Sequence, residues 1–112
     1  MAKKVYLDNG ATTAVDKKVA EAMQPYFLQK YGNASSIHSF GKEARIALEK
    51  ARETIAKKLN AEKDEIIFTS GGSESNNLAI KGVLLLDKKK NHIVTTKIEH
   101  PAVLRTCQTL EE

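Results

Sequence analysis

The stretch from Ile66 to Thr96 constrains this chain most. Ile66-Ile67-Phe68-Thr69 is a run of strand formers broken by Ser70-Gly71-Gly72. Leu78, Ala79, Gly82, Val83 and Leu86 then recur at helical spacing, and a lysine-rich turn through Asn91 leads into His92-Ile93-Val94-Thr95-Thr96. Strand, helix, strand in that order implies a parallel pair joined by a crossover helix, and so an α/β fold. Parallel sheets are normally covered on both faces and built from more than two strands, so the expected sheet is unfinished within this sequence.

The flanking segments are expected to supply helices. Val5-Tyr6-Leu7-Asp8 is a short strand-like run ended by the turn dipeptide Asn9-Gly10. Asp16 is placed to cap a helix carrying Val19, Ala20, Met23 and Phe27; Pro25 must kink it or begin its second half, and Tyr31-Gly32-Asn33 stops it. Residues 32–38 read as an irregular loop of small polar types. From Ser39, Ala44, Leu48, Ala51, Ile55 and Leu59 advance at helical spacing with Lys and Glu opposite, an amphipathic helix that Asn60 terminates. A last helix is expected to start at Pro101, since proline suits the first helical position. Residues 1–60 are expected to form an arm and helices, and residues 61–112 the incomplete start of a large domain, with no true boundary between them.

Composition excludes several classes. With 41% hydrophobic and 29% charged residues the 112-residue chain has globular composition. Its longest apolar run, residues 82–86, falls far short of the roughly 20 needed to cross a bilayer. The start lacks a secretory signal and the single cysteine cannot form an internal disulfide, which points to the cytoplasm. The net charge of +4 is spread along the sequence, and the densest cluster, Lys88-Lys89-Lys90, reads as a solvated turn, so direct nucleic-acid binding is not expected.

The chemistry concentrates at two places. A strand, Ser-Gly-Gly-Ser and a helix make an anion site: bare glycine backbone permits close approach, first-turn amides point outward, and the helix dipole favours negative charge. A phosphate would sit at Gly72 and Ser73, although such turns also serve tight geometry alone. Neither Gly-Lys-Ser/Thr nor Gly-x-Gly-x-x-Gly is present, which disfavours ATP and NAD. His100 follows the next expected strand, at the same C-terminal sheet edge, where ligands bind in open α/β sheets. It is either a ring that stacks on a flat ligand and accepts a proton, or a helix-capping or surface histidine. His38 and His92 have no comparable setting, and no metal site is expected. Cys107 shares an apolar stripe with Val103, Leu104 and Leu110 and is expected to face the core. Asp8 and Glu74 read first as structural groups; Asn76-Asn77 either faces a ligand or holds the loop.

Taken together, Tyr6-Leu7-Asp8-Asn9 with Ala11-Thr12-Thr13, Gly32-Asn33-Ala34-Ser35-Ser36 with His38, Phe68-Thr69-Ser70-Gly71-Gly72-Ser73-Glu74-Ser75-Asn76-Asn77, and Glu99-His100 with Ala102-Val103-Leu104 resemble the N-terminal part of cysteine desulfurases, pyridoxal-phosphate enzymes of the class-V aminotransferase group. The resemblance implies the N-terminal portion of a fold-type-I pyridoxal-phosphate transferase, with the strand-helix-strand unit in its large-domain sheet. It implies pyridoxal 5'-phosphate as cofactor, Gly72 and Ser73 at the phosphate, and His100 stacked on the pyridine ring and assisting proton transfer. It further implies a cytoplasmic homodimer that converts L-cysteine to L-alanine and an enzyme-bound persulfide, and passes that sulfur to an acceptor or scaffold protein for iron–sulfur clusters, thio-cofactors or tRNA.

The family's cofactor-holding lysine, pyridine-pairing aspartate, substrate-binding arginine and persulfide cysteine map to no residue here, and Cys107 does not match the sulfur-accepting loop. The chain alone is therefore expected to be an inactive N-terminal fragment. The alternatives are a selenocysteine lyase or other class-V enzyme, and a non-catalytic truncated or split-gene partner subunit.

Overall fold

The computed structural model describes residues 3–87, 89 and 91–111. Among the described residues the α-helices are, in order, α1 (Lys17–Leu28), α2 (Ser39–Leu59), α3 (Gly72–Leu86) and α4 (Pro101–Glu111), with a 3₁₀ turn, Lys63–Glu65, between α2 and α3. Contacts group into two units, Met1–Ile66 and Ile67–Glu112. Among the described residues no helix is long and apolar enough to cross a membrane.

In the first unit, local chemistry sets the element ends. The Asp16 carboxylate accepts from Lys18 N at 2.8 Å and opens α1. Pro25 lies inside that helix, and its carbonyl takes the amides of both Gln29 and Lys30. Two donors on one acceptor close the last turn, so α1 ends at Leu28, short of the expected stop at Tyr31.

The 32–38 loop is tied to the start of α2. Asn33 Oδ1 accepts from Ser35 N, Ser36 N donates to Asn33 O, and Arg45 Nε donates to Ala34 O at 2.8 Å. Lys30 pairs with Glu43 at 3.4 Å. His38 is the N-cap of α2, its Nδ1 accepting from Gly41 N at 3.3 Å, a setting not expected from its place in the sequence. Gly32 and Gly41 allow this close approach, since a Cβ on either would collide with backbone atoms of the facing segment. At the other end Asn60 stops α2 in the left-handed conformation (φ 53°), and the amides of Asn60 and Ala61 both close on Ala56 O. Ala56, 3% exposed, is the buried apolar side chain of α2; the expected stripe of Leu48, Ile55 and Leu59 stays exposed. Among the described residues the element α2 packs on in this unit is the 3₁₀ turn.

In the second unit α3 packs against α4. Thr106 of α4 is buried with its hydroxyl donating to Ala102 O at 2.7 Å, so no polar atom is left unpaired there. The strand-forming segments 66–69 and 92–96, and the run 5–8 in the first unit, are non-helical, but no β-ladder forms among the described residues. A strand is defined by its neighbour's hydrogen bonds, and two parallel strands alone are marginal without further strands and covering helices. Of the lysine-rich turn, Lys89 N donates to Asp87 Oδ1, while Lys88 and Lys90 lie outside the described residues.

Candidate functional site

The site is built at two helix N-termini of the second unit. Helix α3 begins at Gly72 with Gly71 as an extended N-cap, and its first main-chain bond is Ser75 N to Gly71 O at 3.1 Å. By helix geometry the amides of Gly72, Ser73 and Glu74 have no carbonyl behind them to reach, and they point out of the helix end. A Cβ added at Gly71 or Gly72 would meet no protein atom within 4 Å, and neither residue has a left-handed φ. Neither crowding nor backbone conformation therefore calls for glycine at these positions. Bare backbone there leaves room for a group that is not part of this chain.

The turn before α3 is held by side chains on either side of the glycines. Glu74 Oε2 accepts from both Ser70 N and Ser70 Oγ at 2.6 Å. The Ser70 hydroxyl, and then its amide, hold the exposed Glu74 carboxyl below its ordinary value of 4.5. Thr69 and Ser75 share a hydroxyl–hydroxyl bond of 2.7 Å, in which one hydroxyl donates to the other and the second passes its own proton to Gly71 O, which lies within reach of both.

The second N-terminus belongs to α4. His100 Nδ1 accepts from Ala102 N at 3.1 Å, and His100 O accepts from Val103 N and Leu104 N. His100 is thus the cap of α4. With Nδ1 engaged as an acceptor, the neutral ring carries its proton on Nε2. Capping and ligand contact are compatible, because the two ring nitrogens divide the work.

Ser73 and His100 line one cleft of about 310 Å³, together with Asn77, Arg105, Thr106 and Thr109. Gly72 is adjacent in the first turn of α3 and does not line it. Asn77 donates to Ser73 O at 2.9 Å, so it both fixes the turn and faces the cleft. Sequence alone leaves Asn77 between facing a ligand and holding the loop, and does not single out Arg105, Thr106 or Thr109. Spacing could have found them: Asn77 lies one helical turn beyond Ser73, and Arg105 and Thr109 lie one and two turns beyond Pro101.

A larger cleft of about 580 Å³ includes Leu84, His92, Ile93, Leu104, Cys107 and Leu110. Its walls are mainly apolar and it contains neither glycine turn nor helix N-terminus, so it holds less of the candidate chemistry despite its size. Cys107 is half-buried and lines this cleft with its apolar neighbours Leu104 and Leu110. Among the described residues no three His, Cys, Asp or Glu groups gather where they could hold a metal ion.

The polar cleft brings Ser73, at the start of α3, to one wall and the His100 ring to another, a set that fits a phosphorylated aromatic group. Comparison with known proteins bears on which group that is. The family model for aminotransferase class-V matches residues 5–112. The chain belongs to the class-V aminotransferase family. Among curated class-V relatives it is 58% identical over its whole length to the cysteine desulfurase IscS of Dictyoglomus turgidum and 54% identical to that of Clostridium botulinum (strain Hall). It is 53% identical over 97% of its length to the putative cysteine desulfurase IscS 1 of Bacillus subtilis. A solved structure described as a NIFS-like protein superposes with a TM-score of 0.88 at 46% identity, covering 97% of this chain and 30% of that one. The class-V chain spans 28–29% of the length of these three curated relatives. The likeness to that solved structure extends to the fold.

Proposed function

We propose that this chain is the N-terminal part of a pyridoxal-phosphate-dependent cysteine desulfurase. The whole protein converts L-cysteine to L-alanine and an enzyme-bound persulfide, and delivers that sulfur to an acceptor or scaffold protein for iron–sulfur cluster, thio-cofactor or tRNA synthesis. The observation that carries the site assignment is the shared cleft of Ser73 and His100, with unfilled space beside Gly71 and Gly72. The names of the relatives support the reaction.

In this reading the first-turn amides at Gly72 and Ser73, with the Ser73 hydroxyl, bind the cofactor phosphate, and the α3 dipole favours its charge. His100 stacks on the pyridine ring, held at a fixed angle by its bond to Ala102 N. Its Nε2 is then the atom that gives or takes a proton beside the cofactor. The bound cofactor supplies an electron sink for bond cleavage at the substrate. Residues 1–60 are an arm with helices and residues 61–112 the start of the large domain, continuous with each other. Segments 66–69 and 92–96 become neighbouring parallel strands once the rest of the sheet is present. The whole enzyme is a cytoplasmic homodimer.

The test uses the whole protein with added pyridoxal phosphate. Cofactor retained through gel filtration is measured by absorbance, with alanine and sulfide release from L-cysteine in parallel. Ser73→Ala is expected to weaken retention by about three- to tenfold, the scale of one lost hydrogen bond among the several donors of the turn. Failure of the wild-type protein to retain the cofactor, or to release alanine, would overturn the proposal.

A further inference from the structure

We infer that Glu74 is a positioning residue for the phosphate turn, tying Ser70 back onto α3 so that the Gly71-Gly72-Ser73 backbone stays in place for an incoming phosphate. This rests on the assignment of that turn to the cofactor phosphate. Glu74 is the third residue of α3, where a glutamate ordinarily completes a capping box by reaching back to the N-cap amide. Here the N-cap is Gly71, which has no side chain to return the bond. Glu74 instead reaches one residue further and takes both donors of Ser70 on a single oxygen. A second tie lies beside it, a relay in which one of the Thr69 and Ser75 hydroxyls donates to the other and that one donates to Gly71 O. Side chains of residues 69, 70, 74 and 75 thus bracket three residues whose own backbone includes two glycines, the residue type with the most freedom to lose. The ties supply the rigidity that the glycines lack, while leaving the space at Gly71 and Gly72 open.

A carboxylate beside an anion site also carries an opposing effect, repulsion of the phosphate. Because both bonds end on Oε2, Glu74→Gln can keep them through its amide oxygen while removing the charge, whereas Glu74→Ala removes both. The two variants therefore separate tether from charge.

The experiment measures the affinity of the whole protein for pyridoxal phosphate and for pyridoxal, which lacks the phosphate. Glu74→Ala is expected to lower pyridoxal phosphate affinity about three- to tenfold, the range seen for lost helix caps, with pyridoxal affinity changed by less than about twofold. Glu74→Gln restores the wild-type preference for the phosphorylated form or exceeds it. Ser70→Ala, which removes only the hydroxyl half of the tie, gives a loss of about two- to threefold and serves where the Glu74→Ala protein folds poorly. Unchanged pyridoxal phosphate affinity in Glu74→Ala, or equal losses for both ligands, would overturn the positioning role. Equal wild-type affinity for the two ligands would instead refute the phosphate assignment of the turn, and the inference with it.

Discussion

Gly41 is where the junction of the 32–38 loop with α2 can be tested most sharply. A Cβ built on Gly41 would lie 2.7 Å from Asn33 O and 2.7 Å from Ser36 Cβ, and nearer still to Ser36 O. The two oxygens belong to the main chain and cannot swing away as the tip of a long side chain would. Forcing a methyl group into such a site costs up to about 3 kcal/mol, and alanine's better helix propensity returns up to about 1 kcal/mol, so Gly41→Ala should destabilise the junction by about 2 kcal/mol. The reporters are the amides of Ser36, bonded to Asn33 O, and Lys42, bonded to His38 O. Both should exchange with solvent roughly 30-fold faster in the variant if they open by local unfolding. Gly10→Ala is the matched control: nothing lies within 4 Å of its added Cβ, and it should be neutral or slightly stabilising. If Gly41→Ala protects Ser36 and Lys42 as well as Gly10→Ala does, the close approach of loop and helix is not what holds this segment.

Asn60→Ala should lower stability by about 1 kcal/mol, read by thermal unfolding, because alanine tolerates the left-handed conformation at φ 53° less well than asparagine; Asn60→Gly should match or exceed the parent. The Glu74 carboxyl is held below its ordinary value by Ser70, so the turn's stabilisation is fully present above pH 4.5 and is lost as pH falls through the lowered value. Protection of the Ser70 amide should follow that course, and loss of protection already above pH 5 would show that another group governs the turn. Asp16→Ala should cost about 1 kcal/mol of α1 stability through loss of the bond to Lys18 N, seen as fraying of the first turn in amide exchange.

What was legible in the sequence is what local chemistry decides. Asp16, Asn60 and Pro101 mark helix ends in the sequence and stand at those ends in the structure, because capping involves only neighbours along the chain. The cap at His38 was missed since histidine is not among the usual capping types; its Nδ1 serves where a Ser or Asp oxygen would. Burial was less legible. The α2 stripe is read from spacing alone, but which residues are covered depends on what lies opposite, and within its unit the buried side chain is Ala56, outside the expected stripe. Strands were legible as composition and not as pairing, since a ladder is a property of two segments and of the sheet around them. At the cleft, Ser73 and His100 were found by their places at helix starts, whereas Asn77, Arg105 and Thr109 come into view only after helical spacing is projected from those two anchors.

His100 carries two roles at once, and one substitution cannot separate them. His100→Ala removes the ring that faces the cleft and also the acceptor for Ala102 N, so a loss of activity would fit either a ligand contact or a frayed helix. His100→Asn separates them. Asparagine is among the best N-cap residues and restores an acceptor for the second helical amide, but it has no aromatic face and no titrating nitrogen. The cap is worth about 1 kcal/mol, close to a fivefold change in local opening. Ala102 amide protection should therefore fall about fivefold in His100→Ala and recover in His100→Asn. If the ring stacks on the cofactor, the absorbance of the pyridoxal-phosphate-loaded protein and its rate of alanine release should be perturbed alike in both variants, whatever the state of the cap. Recovery of spectrum and rate in His100→Asn would refute stacking and leave His100 as the cap of α4 alone. The outcome turns on Nδ1 and Nε2 being different atoms with different partners, one committed to the main chain and the other left for the cleft.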